Sequence, residues 1–589
     1  MRTRLTTGWA FARRAWRLAG PYWASEERWR ARLLLGVIVA LTLLLVFFSV
    51  LLNNWNRQFF EAIQNKDFSS FGPLLLQFSV IVALYIVAAV YRRYFTLMLQ
   101  MRWRVWMTHR FVERWLSQHV YYRLEVLDQR TDNPDQRISE DLRLFTSNTL
   151  DLALGLLGSA VTLVSFVSIL WLISGPLAFG LGPLQVEIPG YMVWVAALYA
   201  LIGSGLTHLI GRPLIPLSFQ QQRLEADFRF NLVRLREHAE AVALYGGEPV
   251  ERQTLAGRFE RVRANWWQLM RFTKNLTFLT VGYNQIADIF PILVAAPRYF
   301  AGTISLGVLT QISNAFGQVQ GSLSWFIESY PDLATWKATV DRLLTFQAAM
   351  DQATREASRA DGITLIRNGR GEVRAERLTL ALPDGRVMLA EADLEVGPGQ
   401  HVLIGGPTGS GKTTLFRALA GIWPFGGGQI EVPAGARVMF VPQRPYMPIA
   451  TLREAITYPS SAGSFDDAAV AEVLGAVGLE RLGGRLDDVQ NWGALLSGGE
   501  LQRLAIARAI LQQPDWLFLD EATSALDEAA EAELYALLRE RLPQAAIVSI
   551  AHRPGVAPFH ETQLQLVPDG GHARLLGPVL AEASPPRGG

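Results

Sequence analysis

The run His401-Val-Leu-Ile-Gly-Gly-Pro-Thr-Gly-Ser-Gly-Lys-Thr-Thr-Leu-Phe416 decides the fold of the C-terminal part of the chain. His401 to Ile404 reads as a short buried strand and Leu415 to Ala420 as a helix. Between them Gly406-Pro407-Thr408-Gly409-Ser410-Gly411-Lys412-Thr413, with Thr414 behind, has the strand–loop–helix setting of a phosphate cradle. The glycines let backbone N–H groups turn inward, and the helix N-terminus adds the positive end of its dipole. Lys412 is spaced to reach the β- and γ-phosphates of a nucleotide, and Thr413 to offer a hydroxyl to Mg²⁺.

Further along, Trp516-Leu-Phe-Leu519 is a buried-strand run that ends in Asp520-Glu521. A carboxylate at such a strand end can hold Mg²⁺ (Asp520), and its neighbour can take a proton from an attacking water (Glu521). Ala522 to Asp527 follows at once, and Leu496-Ser-Gly-Gly-Glu-Leu-Gln-Arg503 lies upstream. The latter resembles the signature motif of the ABC ATPases. Asp520-Glu521 resembles that family's second Walker motif, Ser524 to Asp527 its D-loop, Gln443 its Q-loop and His552 its switch histidine, all in family order over Val373 to about Pro568. The resemblance implies ATP and Mg²⁺ as cofactors, with Thr413, Gln443 and Asp520 around the metal and Glu521, His552 and Gln443 around the reacting water. It also implies two ATPs sandwiched between two subunits, because Ser497, Gly498, Gly499 and Asp527 serve the nucleotide of the facing copy. One departure stands out. The stretch Leu380 to Gly385 lacks the aromatic that many members stack on adenine, leaving Pro383 or Val387 for that task.

Toward the N-terminus the character changes. Of 589 residues half are hydrophobic and only 18% charged, which points to a large part in lipid, since soluble domains carry about 25% charged residues. A net charge of +2 gives no footprint for nucleic acid, and the absence of cysteine excludes disulfides, thiolate metal sites and a Cys nucleophile. Apolar windows of spanning length recur at Leu33–Leu52, Leu74–Tyr91, Leu152–Ile173, Tyr191–Ile210, Leu276–Ala296 and Leu306–Ile327, the last two diluted by amides. The first is long for a signal peptide and is followed by Asn53-Asn54-Trp55 rather than a small-residue cleavage site. Arginines crowd the segments between windows two and three and between four and five, whereas Ser174 to Gly190 has no Lys or Arg. That asymmetry places both termini and the long basic loops in the cytoplasm, the loops running on as helices. Gly8 to Trp23, with aromatics among arginines, reads as an interfacial helix, an ordinary basic flank being the plainer alternative.

The expected architecture is an all-α membrane domain with six transmembrane helices of exporter-like (type IV) fold, followed by an α/β P-loop ATPase domain. Its boundaries are 1–30 (interfacial helix), 31–344 (membrane domain), 345–372 (linker), 373–575 (ATPase) and 576–589 (flexible tail). Gly421-Ile-Trp-Pro424, Pro442 to Tyr446, Asn491 to Leu495, Ser549 to Pro554, Asn133 to Asp141 and Glu237 to Glu248 narrow the resemblance to ABC subfamily D and its SbmA/BacA-type bacterial relatives. The resemblance implies a homodimeric ATP-driven transporter in the bacterial inner membrane, with uptake of a cobalamin-like compound or a peptide as the leading expectation. Export, lipid or acyl-CoA transport and an ATP-gated channel are the alternatives. Gln311, Asn314, Gln318 and Ser322 share one helix face, as do Asn284 and Asp288 on the preceding span. Amides at membrane depth either face water or bond neighbouring helices. The expectation is an aqueous path lined by Asn284, Asp288, Gln311, Asn314 and Gln318.

Overall fold

The structure, a computed structural model, describes residues 2–127, 133–181, 184–357, 362–368 and 371–577. It divides into two compact units, residues 1–112 with 133–346, and residues 113–132 with 347–589. The tail expected to be flexible lies, from residue 578 on, outside the described residues.

The first unit is helical apart from one antiparallel hairpin, β1 (Leu177–Leu181) with β2 (Leu184–Ile188). Its helices are α1 (Arg2–Trp23), α2 (Arg28–Gln64), α3 (Phe68–Leu116, which continues into the second unit), α5 (Leu142–Ser174), α6 (Tyr191–Gly211), α7 (Leu214–Glu237), α8 (Ala239–Tyr245), α9 (Glu248–Phe300), α10 (Leu306–Glu328) and α11 (Tyr330–Ala357, which also crosses the boundary). The short α4 (Val120–Leu127) belongs to the second unit. Among the described residues, five helical stretches are long and apolar enough to cross a membrane. The expected sixth, α10, is continuous over 23 residues but less apolar because it carries the amides. It lies in the middle of the packing, with Ile312, Ala315, Phe316 and Val319 in one core with Phe166 and Leu170 of α5, Met192 and Ala196 of α6 and Ala295 of α9. At about 1.5 Å per residue the 53-residue α9 is far longer than a hydrocarbon core of about 30 Å, so it extends well beyond the bilayer.

Small residues set the close helix contacts, as packing without a hydrophobic drive requires. A Cβ on Gly203 would stand 2.3 Å from the ring of Tyr283, and one on Gly307 would stand 2.2 Å from the Arg57 carbonyl oxygen. Tyr283 uses the space to stack on Tyr199, with centroids 4.4 Å apart, and each phenol donates to the other's carbonyl oxygen at 2.7 and 3.0 Å. Helix α1 is anchored by Tyr22, fully buried and stacked on Trp103, while Trp16 is exposed.

One buried carboxylate gathers two arginines in this unit. Asp141, 1% exposed, accepts from Arg137 at 2.8 Å and from both nitrogens of the Arg342 fork at 2.9 and 2.5 Å. Removing one partner of a buried cluster leaves uncompensated charge, at a cost of about 3–5 kcal/mol. Asp141→Ala is therefore expected to lower the thermal midpoint of the detergent-purified protein and its folded yield. A midpoint equal to wild type would show that the two guanidiniums are held without it.

The second unit carries a ten-stranded sheet whose strands lie in the order 363–368, 426–433, 373–381, 387–396, 572–576, 562–569, 401–405, 546–550, 516–520 and 438–441. Five neighbours, β13 (Thr562–Asp569), β6 (His401–Gly405), β12 (Ala546–Ile550), β11 (Trp516–Asp520) and β8 (Val438–Val441), run parallel. Their apolar runs, such as Leu517, Phe518 and Leu519 at 0% exposure, are what burial on both faces demands. β4 (Val373–Ala381) pairs antiparallel with β5 (Val387–Val396) and β7 (Gly426–Pro433), and β14 (His572–Leu576) closes on β13. The stretch 345–372 differs from the expected linker. Its polar composition conceals a helical face, Phe346, Met350 and Ala353, all at most 2% exposed, which carries α11 to Ala357. β3 (Ile363–Asn368) then pairs with β7, so the sheet starts before Val373.

Candidate nucleotide site

Four adjacent parallel strands deliver one chemical group each from their carboxyl ends, where doubly wound sheets bind ligands. β6 leads into the glycine loop and α12 (Lys412–Leu419), β12 into His552, β11 into Asp520-Glu521, and β8 into Gln443. Residues more than a hundred positions apart thus meet in one crevice.

The loop has the backbone its composition predicts. Gly406, Gly409 and Gly411 have φ of +141°, +81° and +94°, a region side chains rarely adopt, and a Cβ on Gly406 would collide with the Leu566 carbonyl oxygen at 2.8 Å. Pro407, Thr408 and Gly409 are exposed, while Ser410 is half-buried with its hydroxyl lacking any hydrogen-bond partner. Lys412 is buried and donates to the carbonyl oxygens of Gly406 (2.8 Å) and Pro407 (3.0 Å), wrapping the loop around its own ammonium. Burial pulls its pKa down, against the opposing charges of Glu521 and Asp520. Thr414 is buried behind the loop.

Thr413 Oγ1 donates to Asp520 Oδ1 at 3.2 Å, and burial pushes the Asp520 carboxyl above its usual range. Glu521 adopts φ +49°, its N–H bonded to the Ile550 carbonyl at the end of β12. Its carboxylate accepts from Gln443 Nε2 at 2.7 Å through one oxygen, while its other oxygen lies 3.0 Å from His552 Nε2. Of the three groups expected around the reacting water, Gln443 and His552 thus each contact Glu521, one on either carboxylate oxygen.

Ser497 heads the helix Gly498–Gln512 as its N-cap. Its Oγ accepts from the Glu500 N–H, and the Glu500 carboxylate accepts from the Ser497 N–H at 2.8 Å, a full capping box. Asp527 caps Glu528–Arg541 by a single bond, its carboxylate accepting from the Ala530 N–H at 2.8 Å. A Cβ on Gly498 would meet Ala525 at 3.4 Å and one on Gly499 would meet Leu526 at 3.1 Å, so the signature glycines lie against the D-loop. Gln502 ties the two together, donating to Ser524 Oγ at 3.2 Å and accepting from the Ala525 N–H at 2.8 Å. Arg553 holds the D-loop, donating to the Leu526 and Ser524 carbonyls. Among the described residues no hydrogen bond or ion pair joins Ser497, Gly498 or Gly499 to residues 406–413.

The adenine stretch is a tight turn, Leu382 to Arg386, without an aromatic ring. The nearest side chain to Gly411 is instead Met388, 3.8 Å from where its Cβ would be. Sequence reading also missed Arg123. In α4 it is 8% exposed and donates to the Gly421 carbonyl oxygen at 3.4 Å, at the C-terminal end of the phosphate-loop helix, where a cation suits the helix dipole. Nothing local to Arg123 signals this, because its partner lies 298 positions away.

In the membrane unit the expected path residues split. Gln311 is 4% exposed and donates to Asn54 Oδ1 of α2 at 3.3 Å, so it bonds a neighbouring helix. Asn314, Gln318, Asn284 and Asp288 are exposed in the single chain.

This geometry meets the comparisons with known proteins at two places. Residues 21–300 match the family model of the ABC transporter transmembrane region 2, and residues 389–524 match the family model named ABC transporter. The chain belongs to the ABC transporters. It is 35% identical to the inner membrane ABC transporter ATP-binding protein YddA of Escherichia coli, over 92% of this chain and 94% of that one. It is 34% identical to the chloroplastic ABC transporter D family member 2 of Arabidopsis thaliana, covering 94% and 85%. It is also 27% identical to the human lysosomal cobalamin transporter ABCD4, covering 93% of each. In fold it resembles a bacterial Atm1-family ABC exporter with ATP bound, with a TM-score of 0.68 and 22% identity over 92% and 94% of the chains. This ABC half-transporter of the subfamily D type thus fuses one membrane domain to one ATP-binding domain and couples ATP hydrolysis to transport.

Proposed function

We propose that two copies of this ABC half-transporter import a bulky hydrophilic solute, a cobalamin-like compound or a peptide, across the bacterial inner membrane. The ATPase domains and both termini face the cytoplasm in this reading, supported by the arginine-rich helical extensions. The observation that carries the cargo class is the exposure of Asn314 and Gln318 on α10 and of Asn284 and Asp288 on α9. Exposed amides and a carboxylate at membrane depth need water or polar cargo beside them, and an apolar cargo would be poorly served by them. The name of the human relative points to cargo of the same kind.

At the nucleotide site, Lys412 turns from its own loop's carbonyls to the β- and γ-phosphates, joined by the N–H groups of Thr408 to Thr414 and the unpartnered Ser410 hydroxyl. The all-oxygen set of Thr413, Asp520 and the Gln443 amide suits Mg²⁺, which when bound neutralises the phosphate charge. Glu521, oriented by Gln443 and His552, takes the proton of the attacking water. Ser497, Gly498, Gly499 and Asp527 complete the site of the facing copy. That role fits their lack of any bond to the phosphate loop of their own chain.

Uptake of radiolabelled cobalamin and of a fluorescent hydrophilic peptide is to be measured in inside-out and right-side-out vesicles, with and without ATP. Accumulation of either, dependent on ATP at the cytoplasmic face and directed inward, is expected. ATP-driven movement outward, or of lipid alone, would reverse the reading. The chain has no native thiol, so single cysteines report cleanly. Cysteines at Asn314 and Gln318 are expected to react with a membrane-impermeant thiol reagent and one at Gln311 to stay protected. Protection of all three in nucleotide-free and ATP-trapped states would remove the aqueous path.

A further inference from the structure

Three helices of the membrane unit have ends near one another, two of them joined by the hairpin β1–β2, at the end opposite the basic loops. They are the C-terminus of α5 at Ser174, the N-terminus of α6 at Tyr191 and the last turn of α9 at Arg298. Contacts tie the three ends. A Cβ on Gly175 would lie 3.0 and 3.1 Å from the two terminal nitrogens of Arg298, and one on Gly190 would lie 2.4 Å from the Trp171 ring of α5. Arg298 is also the charge that acts on the Tyr191 phenol.

These ends hold buried polar atoms that nothing satisfies. Ser174 is 0% and Tyr191 2% exposed, and neither hydroxyl has a hydrogen-bond partner. Arg298 Nη1 is buried and likewise unpartnered, and no ion pair involves Arg298 among the described residues. A hydroxyl left unmade in the interior costs about 1–3 kcal/mol, and a charged donor more. All three can donate, none is a carboxylate, and the free N–H groups opening the 21-residue α6 add positive potential. Trp171 and Trp194 flank the spot with their rings 6.5 Å apart, both partly exposed, as tryptophans stand at a membrane–water interface.

We propose that Ser174, Tyr191, Arg298 and the N-terminus of α6 form an oxyanion site that takes a phosphate group, from an outer-leaflet phospholipid headgroup or free in solution. It is distinct from the nucleotide site and pins the outer ends of α5, α6 and α9 together. It rests on the family's membrane domain and on the proposed orientation with the basic loops in the cytoplasm, and on no assumption about cargo or transport direction.

Melting temperature of the delipidated, detergent-purified full chain is to be followed while adding inorganic phosphate or short-chain phosphatidylglycerol, with potassium chloride at matched ionic strength as control. A rise of about 3 °C at saturation is expected with at least one phosphate-bearing probe and not with chloride. A rise with phosphatidylglycerol alone assigns the headgroup; a rise with inorganic phosphate assigns the free anion. Arg298→Gln should abolish the rise. Tyr191→Phe, which keeps the ring and removes only the donor, should reduce it. Without either probe, Arg298→Gln should melt no lower than wild type, because it removes a half-buried charge with no ion-pair partner among the described residues. The proposal falls if neither probe shifts the wild type beyond the chloride control, or if Arg298→Gln shifts as much as wild type. It falls as well if the variant melts lower in the absence of probe, since Arg298 would then serve only as a cap on the C-terminus of α5.

Discussion

Glu521→Gln is expected to reduce ATP hydrolysis by at least about 10²-fold, within the range for loss of a general base, while nucleotide binding persists. The substitution keeps the volume and the contact with Gln443, 2.7 Å away, but replaces the group that accepts a proton with one that cannot. His552, 3.0 Å from the other oxygen, loses its anionic partner at the same time. ATP should therefore accumulate unhydrolysed on the assembled protein, seen as retained nucleotide after gel filtration. Steady-state activity within about tenfold of wild type would take Glu521 out of the base role. His552 would then be the next group to test by substitution.

Mixing Ser497→Arg subunits with Lys412→Ala subunits is expected to restore ATPase activity that neither homodimer shows. Ser497 stands at the head of its helix with its backbone and hydroxyl engaged by Glu500, exposed and unbonded to its own phosphate loop. Lys412 is the only lysine in that loop, and its ammonium is held by two carbonyl oxygens that phosphate oxygens can replace. If each nucleotide lies between the loop of one copy and the signature of the other, the mixed dimer holds one intact site and one doubly damaged site. Activity in the mixture, proportional to the heterodimer fraction isolated by two affinity tags, supports the sandwich. Silence of verified heterodimers would mean either that each chain completes its own site or that the two sites must fire together. Tandem purification of ATP-trapped Glu521→Gln heterodimers, counting one nucleotide or two per dimer, separates those two.

The sequence by itself determined the ATPase character of the nucleotide-binding half. Its chemistry lies in short runs whose spacing is local: glycines where φ must be positive, a lysine and a threonine at the first helical turn, and a carboxylate pair at the end of an apolar strand. Such runs are legible because backbone geometry and side-chain chemistry are fixed within a few residues. The membrane helices were legible for a similar reason, since hydrocarbon thickness sets an apolar length. The α10 helix tested that rule. Its amides dilute its hydropathy, yet it lies at the centre of the helical core, because burial among helices tolerates what lipid would not.

Only the tertiary structure decided which amides face inward and which partners meet. Gln311 and Asn314 are three residues apart and alike in composition, but one bonds Asn54 and is buried while the other is exposed. That difference depends on where α2 passes, which no local pattern records. The polar stretch after Leu344 reads as a linker because its charges are visible in sequence and its buried stripe, Phe346, Met350 and Ala353, emerges only at helical spacing against a surface. The same holds for Asp141 with Arg342, for Arg123 with Gly421, and for Ser174, Tyr191 and Arg298. Each joins residues far apart in the chain, and distance in sequence carries no information about contact until the helices and strands have packed.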